Sequence, residues 1–181
     1  MRFLTYPESA EWCSQRGYPT RQVHINGGPE PDIQAHEFHR VEFALPTTAA
    51  RRVWLTRFLY GLVDPSPELL IWVGDWAVWP DRQHMPLFSR FRQAFGEHRP
   101  LIEAPGHLVA PTEIDDGVSI LTTSLLFLWD CHILTTSGRD VVFVSHDEFG
   151  WFGSRDVSVA GSVGQQLRDA LGADSSSNAV Y

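Results

Sequence analysis

Five consecutive apolar residues, Leu69 to Val73, constrain the fold more than any other part of this 181-residue chain. A strand with one face in solvent alternates polar and apolar residues, whereas this run has no polar position. The segment from Glu68 to Val73 therefore predicts a strand in the interior of a sheet, with both faces covered. A chain that builds such a sheet must also supply the elements that cover it.

Helices are predicted where apolar residues recur at helical spacing. One helix spans Ala49 to Leu62 after a capping threonine, a second follows Pro86 and ends at Gly96, and a third runs from Thr112 to Leu128. Val163 to Leu171 is compatible with a short amphipathic helix. Prolines and glycines interrupt residues 1–36, so little regular structure is expected there.

Further strands are predicted on either side of these helices. Phe38 to Leu45 alternates apolar with polar residues, as a half-buried strand does. Cys131 to Thr136 and Asp140 to His146 are rich in β-forming residues and flank a Ser-Gly-Arg loop, so they predict a hairpin.

The order of these elements predicts an α/β (or α+β) fold. We expect a single compact domain over residues 1–172, with a mixed sheet of about four to five strands, three main helices and a C-terminal β-hairpin. Residues 173–181 are rich in small and polar residues and are expected to form a flexible tail.

The length of the hairpin loop decides where two histidines lie. A two-residue loop places His132 opposite Phe143 and puts His132 and His146 on opposite faces of the sheet. A three-residue loop places His132 opposite Val144 and brings both histidines to one face. Because the Ser-Gly step suits a tight turn, we expect the shorter loop and no site shared by the two imidazoles.

Charge is the clearest functional signal in the sequence. The chain has 14 basic residues, all of them arginine, and 22 acidic ones, for a formal net charge of −8. Residues 91–181 hold five of the arginines and 12 of the acids, and so most of the excess. This balance argues against nucleic acid or an anionic membrane as the partner and favours a basic protein.

The first candidate site is an acidic surface that bears tryptophans. Its members are Trp76, Trp79, Asp115, Asp116, Asp130, Asp147 and Glu148. Tryptophan offers a large contact area and a hydrogen-bond donor, and carboxylates steer a basic partner. The two tryptophans follow an apolar strand, so the sequence leaves open whether they are buried, and a solvated surface that promotes solubility is the alternative reading of the acids.

The second candidate site would serve catalysis and comprises His132, His146, Asp147 and Glu148. A histidine beside carboxylates can act as a base or a metal ligand, although a polar strand end gives the same pattern. The chain has no G-x-S-x-G, H-E-x-x-H, Walker A or C-x-x-C motif. We therefore expect no cofactor and no metal.

Together these features favour a non-catalytic, bacterial-type protein-binding domain, an inhibitor or immunity-like protein that binds a basic protein. A hydrolase or metal-dependent enzyme built on the second site is the alternative. A cytoplasmic location is expected, because Pro7 and Glu8 stand where a secretory signal needs an apolar stretch and no later segment is a candidate membrane span.

Overall fold

A computed structural model describes residues 1–22, 29–33, 37–76 and 85–172. The strands are β1 (Arg2–Leu4), β2 (Thr20–Gln22), β3 (Pro29–Pro31), β4 (His39–Ala44), β5 (Leu69–Val73), β6 (Gly106–Val109), β7 (Cys131–Thr135), β8 (Asp140–Val144) and β9 (Phe149–Ser154). The helices are α1 (Tyr6–Gln15), α2 (Ala49–Gly61), α3 (Met85–Ala94), α4 (Ile114–Phe127) and α5 (Val157–Gly172).

Seven of these strands form one sheet in the order β1-β6-β5-β7-β8-β9-β4, and β2 pairs with β3 separately. Every neighbouring pair is antiparallel. The α/β class is confirmed. The predictions of a mixed sheet, of four to five strands and of three helices are wrong, since the described residues hold a seven-stranded antiparallel sheet and five α-helices.

Strand β5 lies inside the sheet, between β6 and β7, and all five of its residues are buried. Alternate side chains point to opposite faces of a strand. Leu69, Ile71 and Val73 accordingly join one apolar cluster, while Leu70 and Trp72 join another. The unbroken apolar run thus reflects cover on both faces, as the sequence predicts.

The two faces of the sheet are covered differently. Helices α2, α4 and α5 lie over one face, and the larger apolar cluster forms beneath them, with Leu55, Leu121 and Phe152 almost completely enclosed. We call this the helix-covered face. The opposite face is covered by α1 and the β2–β3 hairpin over part of its area, with a smaller cluster that includes Trp12 and Leu134.

Helix α1 contradicts the expectation of sparse structure near the N-terminus. Thr5 caps the helix, and Glu8 completes a capping box by accepting a hydrogen bond from the Thr5 amide. Pro7 falls in the first turn, where a helix tolerates proline because the missing N–H would have no partner inside the helix. The proline that indicated a break therefore marks a helix start.

Strand β9 was not predicted because its sequence, Phe-Gly-Trp-Phe-Gly-Ser, carries two glycines. The pairing with β4 and β8 explains the first of them. A Cβ atom on Gly150 would lie 2.6 Å from the Phe43 ring and 2.8 Å from the Phe143 carbonyl oxygen, both closer than real contacts allow. Because Gly150 has no side chain, the Phe43 ring can pack directly against the backbone of β9.

The hairpin of β7 and β8 has the expected register. His132 pairs with Phe143 and Cys131 with Val144, which is the register expected for the shorter loop. The predicted loop length is wrong, since β7 ends at Thr135 and β8 begins at Asp140, with four residues between them. Gly138 in this loop has a φ of 70°, in the left-handed region that favours glycine.

In the part of the chain that the structure describes, no helix is both long enough and apolar enough to cross a membrane. Trp79 and the predicted tail, residues 173–181, lie outside the described residues. The cytoplasmic location stays a prediction.

Candidate functional site

The turn between β8 and β9 gathers polar side chains at one end of the sheet. It spans residues 145–148 and is closed by hydrogen bonds from the Glu148 amide to the Ser145 carbonyl (3.2 Å) and from the Ser145 amide to the Phe149 carbonyl (2.8 Å). Glu148 adopts a φ of 63°, which turns the chain back into β9. His146, Asp147 and Glu148 thereby come to lie beside the start of β7, where Asp130 is found.

Asp130 and His146 form a close pair. The Asp130 Oδ1 atom accepts hydrogen bonds from the His146 backbone amide and from its ring Nδ1, both at 2.8 Å. The His146 Nε2 atom lies 3.5 Å from an oxygen of Asp147. Partial burial lowers the pKa of His146, but the hydrogen bond to Asp130 and the charges of Asp130, Asp147 and Asp75 outweigh it, and the net shift of the pKa is upward.

A further carboxylate comes from the loop after β5. The Asp130 amide donates to the Asp75 carbonyl (2.8 Å), and the Gly74 amide donates to the Asp130 carbonyl (2.7 Å), so the two loops are held together. Asp75, Asp130, Asp147 and Glu148 are called the acidic patch below. Asp147 is 72% exposed, and Glu148 reaches Arg52 on α2 at 2.7 Å.

The other two acidic candidates lie elsewhere. Asp115 and Asp116 are in the first turn of α4, whereas Asp130 follows the last turn of the same helix. A 14-residue helix is roughly 20 Å long, so the structure does not bring these residues into the acidic patch. Asp115 is 84% exposed and pairs with Arg57 at 3.0 Å. The acidic residues thus form two separate groups.

Trp76 is not an accessible contact residue. It is only 8% exposed and packs in the apolar cluster of the helix-covered face. This settles for Trp76 the question that the sequence left open, since the ring joins the apolar cluster that also contains Leu69, Ile71 and Val73 of β5. Its position leaves the acidic patch without a contribution from this ring.

His132 has a different environment from His146. Its ring lies against Phe143 and Trp151, with centroid distances of 4.5 and 6.3 Å, and its Nδ1 atom is buried without a hydrogen-bond partner. Burial, followed by the positive charges of Arg40 and Arg21, lowers the pKa of His132 to about 3. This imidazole is neutral at physiological pH.

The two imidazoles have no common side-chain partner among the observed contacts: those of His132 are aromatic, and those of His146 are carboxylates. Within the described residues, no three His, Cys, Asp or Glu side chains are grouped so that they could hold a metal ion.

A cavity of about 310 Å³ adjoins the acidic patch on the face opposite the helices. The β2–β3 hairpin forms one wall, and the sheet contributes Arg40, His132, Phe143 and Trp151. Asp130 borders both the cavity and the patch. Sequence reasoning did not find this cavity. The alternation along β4 indicates that Arg40 and Val41 point to different faces of the sheet, but it does not indicate that β4 pairs with β9 and so brings Arg40 near His132.

Both ring nitrogens of His146 lie beside carboxylates. An Asp-oriented histidine can serve as a base, but the Nε2 atom of His146 faces Asp147, and its observed hydrogen bonds in the described ranges include no hydroxyl or thiol. Glu148 is engaged by Arg52, whose guanidinium also donates to the Pro46 and Leu125 carbonyls.

Comparison with known proteins adds no assignment to this geometry. No protein-family model matches the chain, and neither the curated proteins nor the solved structures give a significant match.

Proposed function

We propose that this protein binds a basic protein through the acidic patch and that binding, not catalysis, is its activity, as in an inhibitor or immunity-like protein. The observation that carries the proposal is that the carboxylates of Asp130 and Asp147 flank the His146 ring at one end of the sheet, and that Asp75 also acts on the charge of this ring. Among the described residues, Arg52 pairs with Glu148, while Asp130 and Asp147 share the single imidazole of His146. These two carboxylates outnumber the one imidazole and keep a net negative charge even when His146 is protonated.

Two properties of the patch support binding of a cationic surface. Asp147 is exposed and can attract a partner over a distance comparable to the Debye length, which is about 8 Å at physiological ionic strength. Asp130 is held by two hydrogen bonds from His146, so less side-chain entropy is lost when a partner binds it.

The start of α4 is a weaker candidate for the same role. Asp115 is already paired with Arg57, and both side chains are largely exposed, as in a solvated surface pair that contributes little. This group supplies a matched control, since its charge is the same and its position is remote from the patch.

The test is affinity capture with three forms of the protein: the natural chain, Asp147→Lys and Asp115→Lys. Each immobilised form is exposed to a lysate of the organism that encodes the chain, and the retained proteins are identified by mass spectrometry. Proteins of high isoelectric point should be retained by the natural chain and by Asp115→Lys. Their affinity for Asp147→Lys should be lower by at least about tenfold, because this substitution reverses the charge in one close pair.

Each retained protein is then purified and its dissociation constant is measured by calorimetry against the same three forms. Equal affinity for the natural chain and Asp147→Lys contradicts the proposal. So does a set of retained proteins that is acidic.

A further inference from the structure

Arg40 lines the cavity and stacks on Trp151. Its guanidinium carbon lies 4.3 Å from the centre of the Trp151 ring, and its Nε atom is buried without a hydrogen bond. In residues 1–22, 29–33, 37–76 and 85–172, no ion pair or hydrogen bond to the Arg40 side chain is observed. Glu42, two residues further along the same strand, raises the pKa of Arg40 less than burial lowers it.

The carboxylates around the cavity do have partners. Glu30 accepts hydrogen bonds from two nitrogens of Arg21 at 2.8 and 3.0 Å, and Asp32 lies 3.8 Å from the same guanidinium. Asp130 is bound by His146. Arg21 thus engages two of these carboxylates and His146 the third, whereas Arg40 binds no carboxylate within the described residues.

A guanidinium stacked on an aromatic ring keeps its edge free for hydrogen bonds. The edge of arginine matches the two oxygens of a carboxylate, with two parallel N–H donors and a fixed geometry. Stacking on Trp151 also holds the side chain in one orientation before a ligand arrives.

The rest of the cavity suits an aromatic or apolar group with one polar substituent. Phe143 lies beside Trp151, with ring centroids 5.5 Å apart, and provides apolar surface. His132 offers a neutral ring whose Nδ1 atom lacks a hydrogen-bond partner. A volume of about 310 Å³ is at the lower end of the range for small-molecule sites.

We infer that the cavity is a binding site for a small organic carboxylate, with the carboxylate on Arg40 and its aromatic or apolar body beside Phe143 and Trp151. This site adjoins the acidic patch at Asp130, but the inference does not depend on the function proposed for the patch. No bond is made or broken in the proposed binding.

The first test uses three probes of one shape on the natural protein: phenylacetate, its neutral amide phenylacetamide, and the cation phenethylamine. Affinities are measured by calorimetry, and the site is located by shifts of protein resonances near His132 in NMR spectra. Phenylacetate should bind in the millimolar range, as its size allows. The amide and the amine should bind at least about tenfold more weakly, because they lose the hydrogen bonds between a carboxylate and a charged guanidinium.

Two substitutions of Arg40 sharpen the test. Arg40→Gln should weaken phenylacetate binding about tenfold, whereas Arg40→Lys, which keeps the charge but loses the two-donor edge, should weaken it less. Arg57→Gln removes an exposed arginine on α2 and should leave the affinity unchanged. Thermal unfolding of each variant confirms that it is folded.

Several outcomes would overturn the inference. These are tighter binding of phenethylamine than of phenylacetate, equal affinity for the acid and the amide, no loss of affinity in a folded Arg40→Gln protein, and no binding of phenylacetate at concentrations well above millimolar. Resonance shifts confined to residues remote from His132 would also overturn it.

Discussion

The two faces of the seven-stranded sheet differ in the side chains that the strands present and in what covers them. On the helix-covered face, Ile71, Leu121 and Phe152 are enclosed in a continuous apolar cluster. On the other face, the region over β7, β8, β9 and β4 presents Arg40 and His132 to a cavity. Burial of apolar surface stabilises the fold on the first side, whereas the second side keeps polar groups whose burial costs free energy unless a ligand or solvent satisfies them. Apolar packing is thus concentrated on one face, whereas polar groups border a cavity on the other.

The largest predicted contrast is in the cost of truncating a side chain on each face. Leu121→Ala should lower the free energy of unfolding by about 3–5 kcal/mol, because the side chain is completely enclosed and its truncation leaves a cavity in the core. Phe143→Ala should cost about half as much, since its ring is only half-buried and already borders a cavity. Denaturant unfolding of both variants measures the difference. Equal losses would contradict the division between the faces.

The parts of the fold that could be predicted are those with an uninterrupted local pattern. The apolar run of β5 and the helical spacing in α2 and α4 each indicate their element, and the Ser-Gly step predicted the register of β7 and β8. Strand β9 escaped prediction because Gly150 is required by the ring of Phe43, more than 100 residues away in the sequence. Such a requirement exists only after the strands have paired.

The candidate site shows the same limit. The sequence singled out Asp130, His146, Asp147 and Glu148, and the turn brings them together. The sequence also grouped Asp115 with them, although Asp115 and Asp130 lie at opposite ends of α4. A count of charged residues gives no information about the distances between them. The sequence analysis did not single out Arg40. Its place in the cavity results from the pairing of β4 with β9, and among the residues that the structure describes it has no carboxylate partner there because Glu30 binds Arg21.

The next largest effect is a loss of stability in acid from one histidine on each face. His107 is fully buried on the helix-covered side, and burial lowers its pKa to about 3, as it does for His132. The unfolded chain binds protons on these rings below the ordinary pKa of 6.5, whereas the folded protein does not. Stability should therefore fall as the pH drops from 6.5 towards 3, by up to about 1.4 kcal/mol per pH unit for each ring.

The comparison of faces predicts which ring matters more. His132 keeps part of its surface at the cavity, so its contribution should be smaller than that of the enclosed His107. His107→Gln should flatten the dependence of the unfolding free energy on pH more than His132→Gln does. Denaturant unfolding of each protein, repeated from about pH 7 down to about pH 4, checks this order, because the two histidines can differ only as the pH approaches their folded pKa values. A steeper acid dependence from His132 would show that the cavity face is the more tightly closed one.

The smallest predicted effect concerns His146, whose pKa shifts in the opposite direction. Because the folded protein raises this pKa above 6.5, the stabilisation is complete below that pH and is lost as the pH rises through the raised value. His146→Gln should therefore be less stable than the natural protein near pH 6, and the difference should shrink in alkaline solution. Thermal unfolding of the two proteins over this range measures it. A difference that grows with pH would contradict the pairing with Asp130.

The most direct test of the central claim is the association rate constant between this protein and a basic protein that it captures, measured by stopped flow as the salt concentration rises. If the acidic patch recognises the partner, the rate should fall steeply as the Debye length drops from about 10 Å at 0.1 M to about 3 Å at 1 M. Asp147→Lys should reduce this slope, and Asp115→Lys should leave it nearly unchanged. A rate that does not respond to salt, or the same slope for the natural chain and Asp147→Lys, would contradict the account.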